Sequence, residues 1–431
     1  MADVIFEGWG SVMPHPLSAR NTVSQHVCGK VRYDGRALRS REEGLKRFIT
    51  LLSALCSLAW VFLAIEWFRG VRSVPLLRDE PVPVRSGRYP AVSVILAARD
   101  EEAALERGVG SMLAQDYPGD LEVVAVNDRS ADRTAEILGR LAARHTDTLR
   151  VLHVQQLPDG WLGKTNALHL GAADASGEWL LFTDADVRFS PDCLQRSVDH
   201  AIGLGLDHLT LAPEIVSRDP LLRSFVASFT LFFEATQRPW RASDPSAKEH
   251  VGVGAFNLLK RNVYRAIGGH RAIRMRPDDD MKLARLIKKQ GFRQGVAYGT
   301  GLVVVEWHRS VSGAMRGLSK SILPGVDYRA GAAVAGAVLL FLTNVLPFAG
   351  LSFPNRRVRA FSGLSVLVIS SMYARRTRYS GPPWWYAALH PVGSSFLVYA
   401  VLRSVYTVLS GGGVEWRGTK YPLGQLKDNV V

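Results

Sequence analysis

Two aspartates one residue apart, Asp184 and Asp186, close the segment Gly163–Val187, GKTNALHLGAADASGEWLLFTDADV. Its apolar stretch Trp179–Phe182 reads as a strand that runs into Asp184-Ala185-Asp186. Alternate residues at a strand end point the same way, so carboxylates at i and i+2 converge. Converging hard oxygens there suit a divalent cation carrying a diphosphate, and open parallel sheets bind ligands along that edge. A lone D-x-D is more often a surface pair capping a turn, so the surrounding residues must decide.

Three further groups could share that chemistry. Asp128 ends the apolar run Leu121–Asn127 and could accept a hydrogen bond from a base or ribose edge. It could equally cap a helix starting near Ser130. Gly160-Trp161-Leu162-Gly163-Lys164 puts a glycine-flanked lysine at a helix start, where backbone N–H groups and a cation suit phosphate. The glycine spacing is not that of a Walker loop. Asp278-Asp279-Asp280 opens an expected helix over Asp280–Gln290. An acid there can act as a general base on an acceptor hydroxyl, or simply favour the helix N-terminus.

The elements that must position these groups alternate. Ala91–Ala97, Leu121–Asn127, Arg150–Val154 and Trp179–Phe182 read as strands. Glu102–Gln115, Ala131–Ala143 and Lys164–Ala175 read as the helices between them. Such alternation predicts an α/β domain with a mainly parallel sheet, spanning about Tyr89–Gly301. The expected strand ends carry Arg99-Asp100-Glu101-Glu102, Asn127-Asp128-Arg129-Ser130 and Asp184-Ala185-Asp186, the polar collection that a nucleotide pocket needs.

In this order the motifs resemble those of the family-two, inverting nucleotide-sugar glycosyltransferases, over roughly Pro90–Tyr328. They are Ala98-Arg99-Asp100-Glu101, Asn127-Asp128-Arg129-Ser130, Gly163-Lys164 with Ala167-Leu168, Thr183-Asp184-Ala185-Asp186, Gly252–Phe256 with Leu259-Lys260-Arg261, and Pro277–Ala284. The resemblance implies a glycosyltransferase A-type, Rossmann-like fold, a UDP- or GDP-sugar donor, and Mg2+ or Mn2+. It implies that Ala98, Arg99, Glu101, Asp128, Lys164 and Asp184 contact the nucleotide sugar and that Asp186 with Asp184 holds the metal. Asp279-Asp280 stands where the family usually has Glu-Asp, so Asp280 is implied to be the catalytic base and Asp279 its acidic neighbour.

Apolar runs flank the domain. Phe48–Ile65, Ala330–Phe353 (broken by Pro347) and Pro382–Leu402 are long enough to be membrane helices, and Ala360–Ala374 is a shorter run suited to a re-entrant or interfacial helix. Trp60, Trp67, Trp384 and Trp385 fall near run ends, as interfacial aromatics do. The chain of 431 residues is 47% apolar and carries +14 net charge. The basic residues are scattered and flank apolar runs, which favours an anionic membrane surface and excludes a nucleic-acid-binding stripe. The three cysteines, Cys28, Cys56 and Cys193, are too dispersed for a disulfide framework or a zinc site. Basic residues occupy both sides of the first run and both short C-terminal loops, so the positive-inside rule cannot be met everywhere and one C-terminal segment should not fully cross.

The expected organisation is a disordered tail over 1–47, a membrane helix over 48–68, the catalytic domain over 89–301, an interfacial region over 302–328, two to three membrane helices over 330–410, and a tail over 411–431. The flanks resemble those of lipid glycosyltransferases, ceramide glucosyltransferases and the hopene-associated and carotenoid-type bacterial enzymes. That likeness implies a membrane lipid acceptor and a cytoplasmic catalytic domain on a bacterial plasma membrane. Leu221–Phe233 and Val311–Leu323 are amphipathic, and either lie on the bilayer or face the core. The second pattern puts Arg316 and Lys320 on the polar side.

The processive members' Gln-x-x-Arg-Trp is absent, and the region holds Glu306-Trp307-His308-Arg309 instead. Trp307 and Arg309 are candidates for acceptor or phosphate contact, and His308 for an extra metal ligand. Gly413-Val414-Glu415-Trp416-Arg417-Gly418 is similar to a C-terminal Trp-basic-Gly signature of lipid-acting relatives. If that tail returns to the catalytic side, one C-terminal helix must be re-entrant. The reading is single-sugar transfer to a lipid. Its alternatives are a processive polysaccharide synthase and a non-catalytic membrane scaffold that kept the fold.

Overall fold

The computed structural model describes residues 35–81, 87–379 and 381–429, with the side chains of 35–40 left aside. Most of the expected 1–47 tail, and Cys28, fall outside the described residues. Phe48–Val431 forms one compact unit, and Met1–Arg47 is a separate one.

A seven-stranded sheet organises the compact unit, in the order β3-β2-β1-β4-β8-β6-β9. Its strands are β1 (Val92–Ala98), β2 (Leu121–Asp128), β3 (Leu149–Val154), β4 (Trp179–Asp184), β6 (His208–Ala212), β8 (Asn257–Lys260) and β9 (Gln294–Tyr298). Strands β3, β2, β1 and β4 run parallel, whereas β8 is antiparallel to both β4 and β6. Short strands β5 (Arg188–Phe189), β7 (Glu214–Ile215) and β10 (Val303–Val305) make a second sheet. The α/β expectation holds. The reversed strand β8 is the feature that local pattern did not reveal.

Strand β1 is apolar apart from Ser93, whose Oγ donates to Glu122 Oε1 at 2.5 Å, because both of its faces are covered. Val92, Val94, Leu96 and Ala98 pack on one side with α2 (Leu105–Leu113), α3 (Thr134–Arg144) and α5 (Cys193–Gly203). Ile95, with Val124 and Val126 of β2, packs on the other side with α4 (Gly163–Asp174) and α7 (Asp279–Lys289). The β1–α2 and β2–α3 loops are tied to each other. Asp100 Oδ1 accepts from Ala131 N at 2.7 Å, Glu102 Oε2 accepts from Arg133 N at 3.1 Å, and Asp132 Oδ2 accepts from Glu102 N at 3.0 Å. These bonds claim the residues before each helix, so α2 and α3 start three residues later than expected.

Helix α1 (Gly35–Gly70) ends in the core. Trp67 is fully buried, and its Nε1 donates to Glu234 Oε2 at 2.9 Å. Glu234 lies on α6 (Pro220–Gln237), and its other oxygen accepts from Tyr298 Oη of β9 at 3.1 Å. Trp60 is also buried, so these two tryptophans are packing residues rather than interfacial ones; Trp384 and Trp385 are exposed. Phe48, Leu51, Leu55, Leu58, Phe62 and Ile65 form an exposed apolar stripe along α1. Helix α8 (Val311–Ser319) is shorter than expected, because Ser404 accepts from Leu323 N and donates to the Ser319 carbonyl, splitting the pattern.

Among the described residues, three helices are long and apolar enough to cross a membrane: Arg41–Ser73, Ala330–Gly350 and Trp384–Ser410. They take in α1 from Arg41 onward, α9 (Ala330–Asn344) and α11 (His390–Ser410). The shorter run becomes α10 (Arg356–Arg376), which is not among the three. Helix α11 is tied to catalytic-side elements at both ends. Ser224 of α6 donates to the Leu389 carbonyl at 2.9 Å, and Ser404 donates to the Ser319 carbonyl at 2.7 Å. The phenylalanine-rich face of α6, expected on the bilayer or in the core, is covered: Phe225 and Leu222 cluster with Leu397 and Ala400 of α11. Beyond α11, β11 (Gly413–Trp416) and β12 (Thr419–Pro422) form a hairpin that does return to the catalytic side.

Candidate active site

The registers bring the polar strand ends to one edge. Ala98 is paired with Asn127, Ala97 with Asp184, and Asp128 with Val154. Because β8 is reversed, its beginning, not its end, lies at this edge: Asn257 pairs with Phe182. Gly252–Phe256 therefore enters the site from above β8, and α7 brings Asp279 and Asp280 opposite.

Lys164, in the first turn of α4, is the hub. Its Nζ lies 2.7 Å from Asp184 Oδ1 and 3.7 Å from Asp279 Oδ2. Asp280 is held by the backbone: Oδ2 accepts from Gly254 N at 2.8 Å and Oδ1 from Met281 N at 2.8 Å. A Cβ built on Gly254 would sit 3.0 Å from Asp184 Oδ2, 3.4 Å from Asp280 Oδ2 and 3.4 Å from Lys164 Nζ. Gly254 is thus the floor on which both carboxylates and the lysine converge. Asp278 does not cap α7 with its side chain, since Arg276 holds both its oxygens, at 2.9 and 3.0 Å.

Asp128 is buried and already clasped by Arg129, whose Nε and Nη2 donate to its two oxygens at 2.8 and 3.0 Å. Arg99 Nη1 stands 3.8 Å away. Asp128 is not the cap of α3, whose N-cap is Arg133 with no side-chain cap; Asp132 Oδ1, one residue earlier, accepts from Thr134 N at 2.9 Å. Gly163 is needed here, because a Cβ would lie 2.3 Å from Asp128 Oδ2.

The charges strain against burial. Burial, then Asp184 and Glu101, push Asp186 up to about 7. Burial raises Asp279 to about 7 and raises Asp280 as well, with Lys164 opposing in both cases. Burial would also raise Asp184, but Lys164, then Lys320 and Arg417, hold it below the usual carboxylate range. Lys164 is raised, since Asp184, Asp279 and Asp280 outweigh its own burial. Crowded carboxylates of this kind are stabilised by a cation. Among the described residues no three His, Cys, Asp or Glu side chains stand close enough to hold a metal by themselves. Asp184 and Asp186 fit a cation that takes one or two carboxylates and completes its shell with phosphate and water, the habit of Mg2+.

The remaining sequence candidates fall elsewhere. Trp307 packs on Phe229 of α6, with ring centroids 5.1 Å apart, and Arg309 is exposed. His308 lies against Gly317 and has Arg316 and Lys320 as charged neighbours, a poor setting for a metal ligand. Lys320, expected on a polar outer face, instead sits 4.0 Å from the centre of the Trp416 ring. Arg417 at the hairpin tip donates to the Arg99 carbonyl and to Glu101. Tyr421 Oη accepts from Gly163 N at 3.3 Å. The Trp-basic-Gly signature was the only sequence signal for this group, and nothing local pointed to Tyr421.

A mostly parallel sheet with these acids along one edge, next to a reversed strand, defines a glycosyltransferase A-type fold. The solved mannosyltransferase PcManGT from Pyrobaculum calidifontis, in complex with GDP-Man and Mn2+, shares it with a TM-score of 0.51 and 19% identity, covering 84% of this chain and 99% of that one. Residues 93–268 match the model described as Glycosyl transferase family 2. The chain carries a glycosyltransferase family 2 domain and is a glycosyltransferase. Relatives include 4,4'-diaponeurosporenoate glycosyltransferase of Staphylococcus aureus, 21% identical over 343 residues, 78% of this chain and 90% of the relative. The protein of that name from a second S. aureus strain is 22% identical over 346 residues, with the same shares covered.

Proposed function

We propose that the enzyme transfers one sugar, with inversion, from a UDP- or GDP-sugar to a hydroxyl or phosphate of a membrane lipid. The observation that carries this reading is the meeting of Asp280, Asp184 and Lys164 around Gly254, all within 3.4 Å of one Cβ position. Asp280 is the base. It takes the acceptor proton as the acceptor oxygen bonds to the anomeric carbon and the bond to the donor diphosphate breaks. Two backbone N–H groups fix its carboxylate, and burial raises its proton affinity toward that of a working base. Asp279 with Lys164 sets the local charge, and Lys164 offsets the negative charge gathering on the leaving group. Asp128 with Arg129, Arg99, Ala98 and Glu101 line the nucleotide side. Asp186 and Asp184 would hold Mg2+ or Mn2+, which when bound supplies charge that neutralises the diphosphate.

A lipid acceptor is supported by the exposed stripe on α1, the three long apolar helices, and the name of the S. aureus relative. We place the chain in a bacterial plasma membrane with the catalytic unit on the cytoplasmic face, the region 302–328 at the interface and 330–410 in or on the bilayer. With both ends tied to catalytic-side elements, α11 lies along that face rather than across the membrane.

The test is UDP or GDP release by the detergent-solubilised full chain with a panel of nucleotide sugars and a lipid extract. Release should require lipid, stop with EDTA, and fall about 10²- to 10⁴-fold in Asp280→Asn. Lipid-independent release with a polymer product would replace the reading with a processive synthase. No release with any donor from folded protein would sink it in favour of a scaffold.

A further inference from the structure

The hairpin β11–β12 has no part in the reaction described above, yet it is docked on the residues that face the nucleotide. Its two-residue turn is Arg417-Gly418, with φ of 47° and 73°. Positive φ at both positions is the turn that matches a hairpin's twist, and it usually takes Asn-Gly. Arginine at the first position costs about 1 kcal/mol in backbone energy, so its side chain is the reason to look further.

That side chain reaches Glu101 and the Arg99 carbonyl, across more than 300 residues of chain. Glu101 in turn acts on Asp186, and Arg417 and Lys320 both act on Asp184. Lys320, beyond the end of α8, is steered inward by the face of Trp416. Tyr421 pins the hairpin to Gly163 N, one of the free N–H groups at the start of α4. The C-terminal side of the hairpin is itself stapled: Asn429 accepts from Met275 N and donates to the Ala272 carbonyl, each at 3.0 Å. Two cations from outside the sheet are thereby brought to the one strand end where Asp184 and Asp186 gather.

We infer that this hairpin completes the donor site, with Arg417 and Lys320 as its diphosphate-binding cations and Trp416 as the residue that positions Lys320. A diphosphate competes with Glu101 for Arg417, and as the sugar–phosphate bond breaks the two cations take up the charge left on the terminal phosphate. The sequence lacks the Gln-x-x-Arg-Trp of processive relatives, and here a Trp-Arg pair arrives from a different part of the chain. The inference rests on the proposed nucleotide-sugar reading.

The experiment measures equilibrium binding of UDP, GDP, UMP and GMP to the full chain in detergent with Mg2+, for the wild type, Arg417→Gln and Lys320→Met. Each variant should weaken the preferred diphosphate about tenfold or more and leave the matching monophosphate within about twofold. The ratio of the two affinities is the readout, because partial unfolding lowers both alike and leaves it unchanged. An unchanged ratio in both variants overturns the inference and makes the hairpin a packing element. A wild type that binds no nucleotide overturns the donor reading itself. Binding of the wild type with an unchanged ratio leaves that reading standing and removes only this one.

Discussion

Gly254→Ala isolates the centre of the proposed site with one methyl group. The glycine has no positive φ, so alanine suits its backbone. Its Cβ would lie 3.0 Å from Asp184 Oδ2 and 3.4 Å from Asp280 Oδ2 and Lys164 Nζ, with side-chain atoms as its nearest neighbours. Ordinary contact begins near 3.4 Å, so Asp184 must yield by roughly half an ångström, and the methyl stands where the three groups meet. A misplacement of about 1 Å at a reacting centre costs about 10²-fold, so kcat should fall roughly 10- to 100-fold. The melting temperature should hardly move, because the loss of chain entropy in the unfolded state favours alanine by about 0.4–1 kcal/mol and offsets the crowding. The assay is donor-dependent nucleotide release, with a thermal melt of the same preparation. Gly110→Ala is the control, since a Cβ on this α2 glycine meets nothing within 4 Å; it should be fully active and slightly more stable. A folded Gly254→Ala enzyme with wild-type turnover would refute the placement of the reaction centre at this floor.

Activity and stability should move in opposite directions with pH. Asp280 must be ionised to act as a base, and its folded pKa is raised, so kcat/KM should climb with pH through a limb above the usual carboxylate range. Raised carboxylates stabilise the fold fully below their unfolded value of about 3.9 and lose that contribution as pH rises through the folded one. With Asp279 and Asp186 both near 7, the metal-free melting temperature should fall between about pH 4 and 7; a kinetic limb at or below pH 4, or a rising melting temperature, would contradict this. Glu234→Ala should destabilise the protein by about 3 kcal/mol, because it leaves Trp67 Nε1, Tyr298 Oη and Arg376 without their shared buried partner. Chemical denaturation of the purified variant would check it, and a loss below about 1 kcal/mol would show that water replaces the carboxylate.

The catalytic half of the fold was legible because strands buried on both faces leave continuous apolar runs, as in β1, and because the acids follow those runs directly. Asp184, Asp279, Asp280 and Lys164 were found, and the structure gathers them. Strand β8 was not legible, since Asn257–Lys260 is only four residues long and its direction is fixed by partners in β4 and β6. Lys320 was assigned outward because helical periodicity reports a face and not what covers it. Trp60 and Trp67 look the same as interfacial tryptophans in sequence, and only Thr343 and Glu234, which accept from their indole nitrogens, distinguish them. Trp307 was read for its likeness to a motif, and in the structure it is half-buried and packs on Phe229 of α6.

The contact between Arg417 and Glu101 spans 316 positions, whereas Asp100 reaches Ser130 across 30. By loop-closure entropy alone the longer link costs about 2 kcal/mol more to form from an open chain, so it forms after the sheet. On the ribosome the order is stricter. The strands from β1 to β9 can assemble while α9, α10 and α11 are still being synthesised, and the hairpin emerges only after them. The sheet edge that carries Asp184 and Asp186 therefore stays uncovered until the last residues have been made, and a polypeptide stalled before β11 would present a folded sheet without that cover.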